Sequence, residues 1–161
     1  MIVVSNTSPI LNLMAVGELG LLRQLYGTVL VPEAVRDELL AFDSDLADAA
    51  TFHEQSWISV RSVTDRPLVN LLRLELDSGE AEAVALAAET QADLLLLDER
   101  RGRNVASRLG LRYMGLVGCL IQGKQQNLLS TIKPTLDNLV RQAGFWLDSE
   151  LYERVLREVK E

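Results

Sequence analysis

The chain has 161 residues, 48% of them hydrophobic, which is enough for one compact domain with a buried core. Its 16 basic and 23 acidic residues give a net charge of −7, which argues against broad, sequence-independent attraction to phosphates. The single cysteine, Cys119, excludes an intramolecular disulfide and predicts a buried free thiol. The first residues lack the basic start and apolar core of a signal peptide, so we expect a cytoplasmic protein.

The first half of the chain alternates short apolar segments with amphipathic ones. Residues 2–5 predict a β-branched strand, and Ser8 with Pro9 predicts the N-cap and the first position of the helix that follows. Gly17 and Gly27 end two successive helical segments. The remaining elements predicted here are strands over 28–31 and 57–60 and helices over 18–26, 32–40 and 43–55.

The second half contains the most distinctive stretch, an apolar run over 93–97 with four consecutive leucines. A short run without helical or alternating period is typical of a strand buried on both faces of a parallel sheet. The other predicted elements are a strand over 111–114 and helices over 66–76, 77–90, 100–109, 116–125, 133–143 and 149–161. Strands alternating with helices predict an α/β fold with a parallel sheet covered on both faces, and no linker divides residues 1–161.

Polar candidates follow the predicted elements where parallel sheets bind ligands, at the carboxyl ends of strands. Asn6 follows the first strand, Glu80 begins an alanine-rich helix, and Asp98 with Glu99 follows the leucine run. Hard cations such as Mg²⁺ and Mn²⁺ prefer carboxylate oxygens. A shared cation site requires the fold to gather these residues.

Each candidate also has a purely structural interpretation. Asp77 and Glu80 have capping-box spacing, Asn6 fits a turn, and Asp98 fits a helix cap. Thr7 and Ser8 fit simple helix caps, and Arg100, Arg101 and Arg103 fit a solvated helix face. A surface position is expected for His53. Tyr113 and Trp146 are expected to pack in the core or against a partner rather than to stack on bases. No glycine-rich phosphate loop or Cys/His cluster supports another chemistry.

Seven short motifs follow one another along the chain: IVVSNTSPI at 2–10, LVPEAV at 30–35, LDSGEAEA at 76–83, DLLLLDERRGR at 93–103, GLVG at 115–118, AGFWL at 143–147 and LY at 151–152. Their order and spacing resemble those of the DUF3368 branch of PIN domains. This resemblance implies a three-layer α/β/α fold with a central, mostly parallel sheet. It also implies a Mg²⁺- or Mn²⁺-dependent ribonuclease, similar to the toxins of bacterial type II toxin–antitoxin pairs.

The resemblance assigns roles to individual residues. Glu80, Asp98 and Glu99 would be catalytic, and Asn6, Glu80 and Asp98 would hold the metal. Residues expected near RNA are Thr7, Ser8, Arg100, Arg101 and Arg103. A cognate antitoxin and a homodimer are the partners that it implies.

Asn6 departs from the family pattern, because the family's first acid falls at this position. An amide coordinates metal through its carbonyl oxygen but brings no negative charge, so metal affinity and nucleophile activation should both weaken. Two hypotheses stay open: a nuclease with a modified metal site, and a catalytically silent PIN module that binds a partner or RNA.

Overall fold

The computed structural model describes residues 1–43 and 55–161. The strands are β1 (Val3–Ser5), β2 (Val29–Val31), β3 (Ile58–Val60), β4 (Leu94–Leu96) and β5 (Tyr113–Met114). The helices are α1 (Thr7–Ala15), α2 (Gly20–Tyr26), α3 (Glu33–Asp43), α4 (Arg66–Leu72), α5 (Ser78–Glu89), α6 (Arg100–Arg108), α7 (Leu116–Gln125), α8 (Lys133–Gln142) and α9 (Ser149–Glu158). The predicted α/β class with a central parallel sheet is confirmed.

The described strands form one sheet in the order β3-β2-β1-β4-β5, and every pair is parallel. From β1 the chain first builds outward to β2 and β3, then returns to the other side of β1 to add β4 and β5. The strand order therefore reverses between β1 and β4, which face each other in the register Ser5↔Leu96. In parallel sheets this reversal leaves a crevice at the carboxyl ends of the two strands, where ligands bind.

Strand β4 and helix α5 form the centre of the core, which accounts for their many apolar residues. All of β4 is buried, as its leucine run predicts. Residues 79–87 of α5 are buried as well, since this helix packs on β1 and β4 and is covered by α3, α4 and α6. Alanine side chains allow such close approach on several sides at once. Cys119 is buried and free, as predicted.

Some helix ends differ from the predicted ones. The prediction that Ser8 caps α1 with Pro9 in the first helical position is wrong, because the N-cap is Asn6 and the helix begins at Thr7. Pro9 then occupies the third helical position, where the missing N–H would have no intrahelical partner anyway. Residues 66–76 are helical only to Leu72. The prediction of a helix over 43–55 and the prediction for His53 fall on residues 44–54, outside the described residues.

No helix in the described ranges combines the length and apolar character needed to cross a bilayer.

Candidate metal site

Two predicted site residues lie at the crevice where the strand order reverses. Asn6 directly follows β1, and Asp98 follows β4 by two residues. The backbone N–H of Asn6 donates to the carbonyl of Leu96 at 3.0 Å, which extends the pairing of β1 and β4 to their ends. Asn6 and Asp98 therefore lie on adjacent strand ends at the carboxyl edge of the sheet.

The Asp98 carboxylate is fixed through one oxygen only. Its Oδ1 accepts from the N–H of Leu116 at 2.9 Å and lies 3.6 Å from an Arg103 guanidinium nitrogen. Its Oδ2 is buried and has no hydrogen-bond partner in the described residues. Burial raises the pKa of Asp98, although the Leu116 N–H and then Arg103 act in the opposite direction. The side chain does not cap α6, so the capping interpretation does not account for it.

The Arg103 side chain lies against the protein surface and is only partly exposed to solvent. Its Nε donates to the carbonyl of Leu97 at 3.0 Å, and its guanidinium carbon lies 5.7 Å from the centre of the Tyr113 ring. A Cβ at Gly115 would lie 2.0 Å from the Arg103 guanidinium and 2.7 Å from Asp98 Oδ1. Glycine at this position therefore lets the cation reach Asp98.

Glu80 is an almost fully buried acid, with 4% of its surface exposed. Its backbone N–H donates to Asp77 Oδ1 at 2.8 Å, which is one half of the predicted capping box. Burial, then Asp77 and then Glu99 raise the pKa of Glu80 to about 8. The carboxyl group thus lies among other acids, so it carries a proton near neutral pH unless a cation compensates its charge.

Glu99 lies close enough to both Glu80 and Asp98 to affect their ionisation. It raises the pKa of both carboxyl groups, and it is exposed at the start of α6 without making a side-chain cap. The structure therefore places Glu99 near both Glu80 and Asp98, and it places Asp98 beside Asn6 at the carboxyl edge of the sheet.

Glu38 is the acid that sequence reasoning missed. The Thr7 hydroxyl donates to Glu38 Oε2, and a Cβ at Gly79 would lie only 2.5 Å from Glu38 Oε1. Glu38 is thus placed between the residue after Asn6 and the residue before Glu80. A signal did exist in the sequence, because Glu38 directly precedes the core residue Leu39 and lies one helical turn after the buried Val35.

The oxygens of this edge fit a hard cation. Asn6 Oδ1, Ser8 Oγ and Asp98 Oδ2 are buried without a hydrogen-bond partner in the described residues. Unsatisfied buried polar atoms are rare and costly, and an ion or ordered water is a usual reason for them. Amide, hydroxyl and carboxylate oxygens are the donors that Mg²⁺ and Mn²⁺ prefer.

Acids alone do not complete the site. In residues 1–43 and 55–161, no three Asp, Glu, His or Cys side chains form a ready cluster for a metal ion. The amide at Asn6 offers an oxygen without a charge, and Mg²⁺ commonly takes one or two carboxylates and keeps several waters. The residues fit such an ion.

Two clefts lead away from Glu99. The polar one, of about 610 Å³, is lined by Glu75, Leu76, Asp77, Glu80, Glu99, Arg100, Arg101 and Asn104. The other, of about 730 Å³, starts at Ser8, Asp98 and Glu99 and leads to the C-terminal segment.

The residues expected near RNA are spread unevenly over these clefts. Arg100 and Arg101 line the polar cleft, and Ser8 and Arg103 line the other one. Thr7 is buried, and its hydroxyl donates a hydrogen bond to Glu38.

One family model matches this chain, over residues 2–161, and its description is DUF3368: PIN domain. No curated protein matches the chain.

Proposed function

The chain belongs to the DUF3368 family of PIN domains, and from that premise we propose that it is a Mg²⁺- or Mn²⁺-dependent endoribonuclease. PIN domains are generally nucleases and typically use divalent metals. The proposal treats residues 1–161 as one domain of this kind. The observation that carries it is a set of buried oxygens on Asn6, Ser8 and Asp98 that have no hydrogen-bond partner among residues 1–43 and 55–161. Glu99 lies near Asp98, and Glu80 lies near Glu99.

Each residue has a distinct part in this proposal. Asp98 Oδ2 and Asn6 Oδ1 would hold the cation, and the Leu116 N–H with Arg103 orients Asp98 through its other oxygen. A bound Mg²⁺ or Mn²⁺ would stabilise charge on the phosphate and make water more acidic. The raised pKa of Glu80, about 8, keeps its carboxyl group protonated near neutral pH, and a bound cation would favour the ionised form. Glu99 lines both clefts and is exposed, so it is the acid that would accept a proton from the attacking water.

The toxin-like part of the proposal follows from the family resemblance alone. A cognate antitoxin would cover the acids at the carboxyl edge of the sheet. The protein would also form a homodimer. Growth arrest on expression, relieved by a small protein encoded beside the gene, is the expected result. Light scattering at micromolar concentration tests the dimer.

A silent module is the second candidate function, and the observation that favours it is Asn6. Without a negative charge at this position, the edge retains fewer charges to attract a cation and activate water. Asn6→Asp separates the two candidates, because it restores the missing charge.

In a weakened nuclease, Asn6→Asp should tighten Mn²⁺ binding about tenfold or more, since one charge near a cation is worth a few kcal/mol before solvation costs. RNA cleavage should accelerate in parallel, and the metal-free thermal midpoint should fall through repulsion with nearby acids. Calorimetric Mn²⁺ titration and cleavage of structured and single-stranded RNA measure both effects.

Asn70→Asp, at an exposed position of α4, is the matched control and should change neither property. If Asn6→Asp, like Asn70→Asp, neither binds Mn²⁺ more tightly nor gains cleavage, and the wild type does not cleave RNA, the nuclease proposal fails and the silent module is favoured.

A further inference from the structure

The cleft of about 730 Å³ beside Asp98 and Glu99 is an apolar groove with the candidate metal site at one end. Its volume is in the range of ligand-binding clefts. The apolar lining comes from α7, from the segment after α8 and from α9, and includes Val117, Ile121, Phe145, Leu147, Leu151 and Val155. We call it the C-terminal groove. A molecule that fills the groove would extend to Asp98 and Glu99.

Trp146 lines this groove and is 82% exposed, the largest value among the exposed large hydrophobic residues that the structure describes. Its neighbours Phe145 and Leu147 are partly buried against the core, so Trp146 alone in this stretch points outward. The segment is fixed at both ends, because the Phe145 N–H donates to the carbonyl of Leu139 at 3.0 Å and Asp148 caps α9. The indole is therefore presented on an anchored support, and the core-packing interpretation of Trp146 is wrong.

Arg154 adds a cation to the same groove. It is exposed on α9, and in the described ranges it has neither a hydrogen bond nor an ion pair. The other charged residues of the groove are Arg103, which is paired with Asp98, the site acids Asp98 and Glu99, and Glu158. Arg154 is thus the cation that remains available to an anionic ligand.

We propose that the C-terminal groove binds unpaired nucleotides next to the phosphate that is cleaved, with one base stacked on Trp146 and a phosphate bound by Arg154. The proposal rests on the nuclease function proposed above and names the substrate class of that site. Stacking on aromatic side chains and phosphate contacts with arginine are the usual means of holding single strands. A duplex conceals the faces of its bases, so the groove selects single-stranded RNA or loops.

The two tryptophans allow a direct optical test. Trp57 is 7% exposed and outside the groove, so Trp57→Phe leaves Trp146 as the single reporter. An oligouridylate of about 12 nucleotides, within the site sizes of single-strand grooves, should quench its fluorescence in metal-free buffer. A blunt RNA duplex of equal length should not.

Substitutions should then separate stacking from charge. Trp146→Ala should weaken oligouridylate binding about fivefold to 100-fold, the range for loss of one stacked base, whereas Trp146→Phe should keep much of the affinity. Arg154→Gln should lower both affinity and its salt dependence. Arg157→Gln on the exposed side of α9, outside the groove, is the matched control and should do neither.

Mn²⁺ binding should stay unchanged in Trp146→Ala, because the indole is not among the proposed metal-holding groups. Unchanged oligouridylate affinity in Trp146→Ala would overturn the proposal. Trp146 emission that depends on protein concentration but not on RNA would also overturn it and identify the groove as a contact between copies.

The two proposals can fail separately. Quenching without any metal-dependent cleavage would support the groove and defeat the nuclease function. Cleavage that keeps its rate and cut sites in Trp146→Ala would defeat the groove alone.

Discussion

The starts of α5 and α6 both carry an aspartate, but the two aspartates are used differently. At α5, Asp77 accepts the N–H of Glu80 at 2.8 Å and stabilises its own helix. At α6, Glu99 is the N-cap without a side-chain cap, and Asp98 contacts α7 and Arg103 instead. Asp98 keeps one buried oxygen without a partner in the described residues. Asp98 therefore has an oxygen available for chemistry, because the backbone of its own helix does not engage its side chain, whereas Asp77 is engaged by the helix that it caps.

The largest expected effect is on cleavage, from Asp98→Asn. Loss of one charged metal-holding oxygen should slow RNA cleavage about 100-fold or more, comparable to removing one preorganised group from an active site. Stability without metal should change little or rise, because burial already disfavours the ionised form of Asp98. Cleavage rates and thermal midpoints measure both.

Glu153→Gln removes a charge from an exposed position of α9 that lines neither cleft, and it serves as the control for Asp98→Asn. Equal cleavage by the two variants would mean that Asp98 is as structural as Asp77.

A second expected effect is a dependence of metal-free stability on pH. The pKa of Glu80 is about 8 in the folded chain against an ordinary value of 4.5. The folded chain thus keeps a proton that the unfolded chain releases, and stability falls as pH rises from about 4.5 to about 8. The total loss is a few kcal/mol, on the order of 1.4 kcal/mol per pKa unit.

Urea unfolding in EDTA across this range measures the loss, and Glu80→Gln should flatten it. Saturating Mn²⁺ should reverse the trend, because a cation favours the ionised acids. A wild-type slope equal to that of Glu80→Gln would show that Glu80 is not the group responsible.

Gly115→Ala should break the arrangement that keeps Asp98 available. The new Cβ would lie 2.0 Å from Arg103 and 2.7 Å from Asp98, so the guanidinium must move. Overpacking of this kind costs about 1–3 kcal/mol of unfolding free energy. We also expect slower cleavage, because Asp98 would lose its orientation.

The control for Gly115→Ala is Gly20→Ala in the first turn of α2, where an added Cβ meets nothing within 4 Å. That change should be neutral or slightly stabilising. If both variants cleave and unfold alike, Arg103 does not orient Asp98.

The smallest expected effect comes from Asp77→Ala at the N-cap of α5. Loss of the α5 cap should cost about 1 kcal/mol, and Asp77→Ser should recover most of it. The thermal midpoint of a chain of this size should fall by about 2–4 °C. Cleavage measured well below the midpoint should remain close to wild type. A larger loss of cleavage than of stability would make Asp77 part of the site.

Much of the fold was predictable because its signals are local. The leucine run, the glycines that end helices and the alanine-rich segment each predict an element from neighbouring residues, and the structure confirms β4, the end of α2 and the start of α5. Helix α1 shows the limit of such signals. Its start depends on how Asn6 continues the pairing of β1 with β4, which the Ser8–Pro9 pattern does not contain.

Local residue patterns are sufficient to predict the apolar segments, their alternation and the acids that follow strands or begin helices. Which of these acids come together depends on the three-dimensional fold. The strand order places β4 beside β1 and brings Asp98 to Asn6, although 91 residues separate them along the chain. Helix packing places Glu38 against Thr7 and Gly79, and it turns Trp146 outward beside the acids. Residue patterns encode local periodicity, whereas convergence depends on long-range packing that local patterns do not specify.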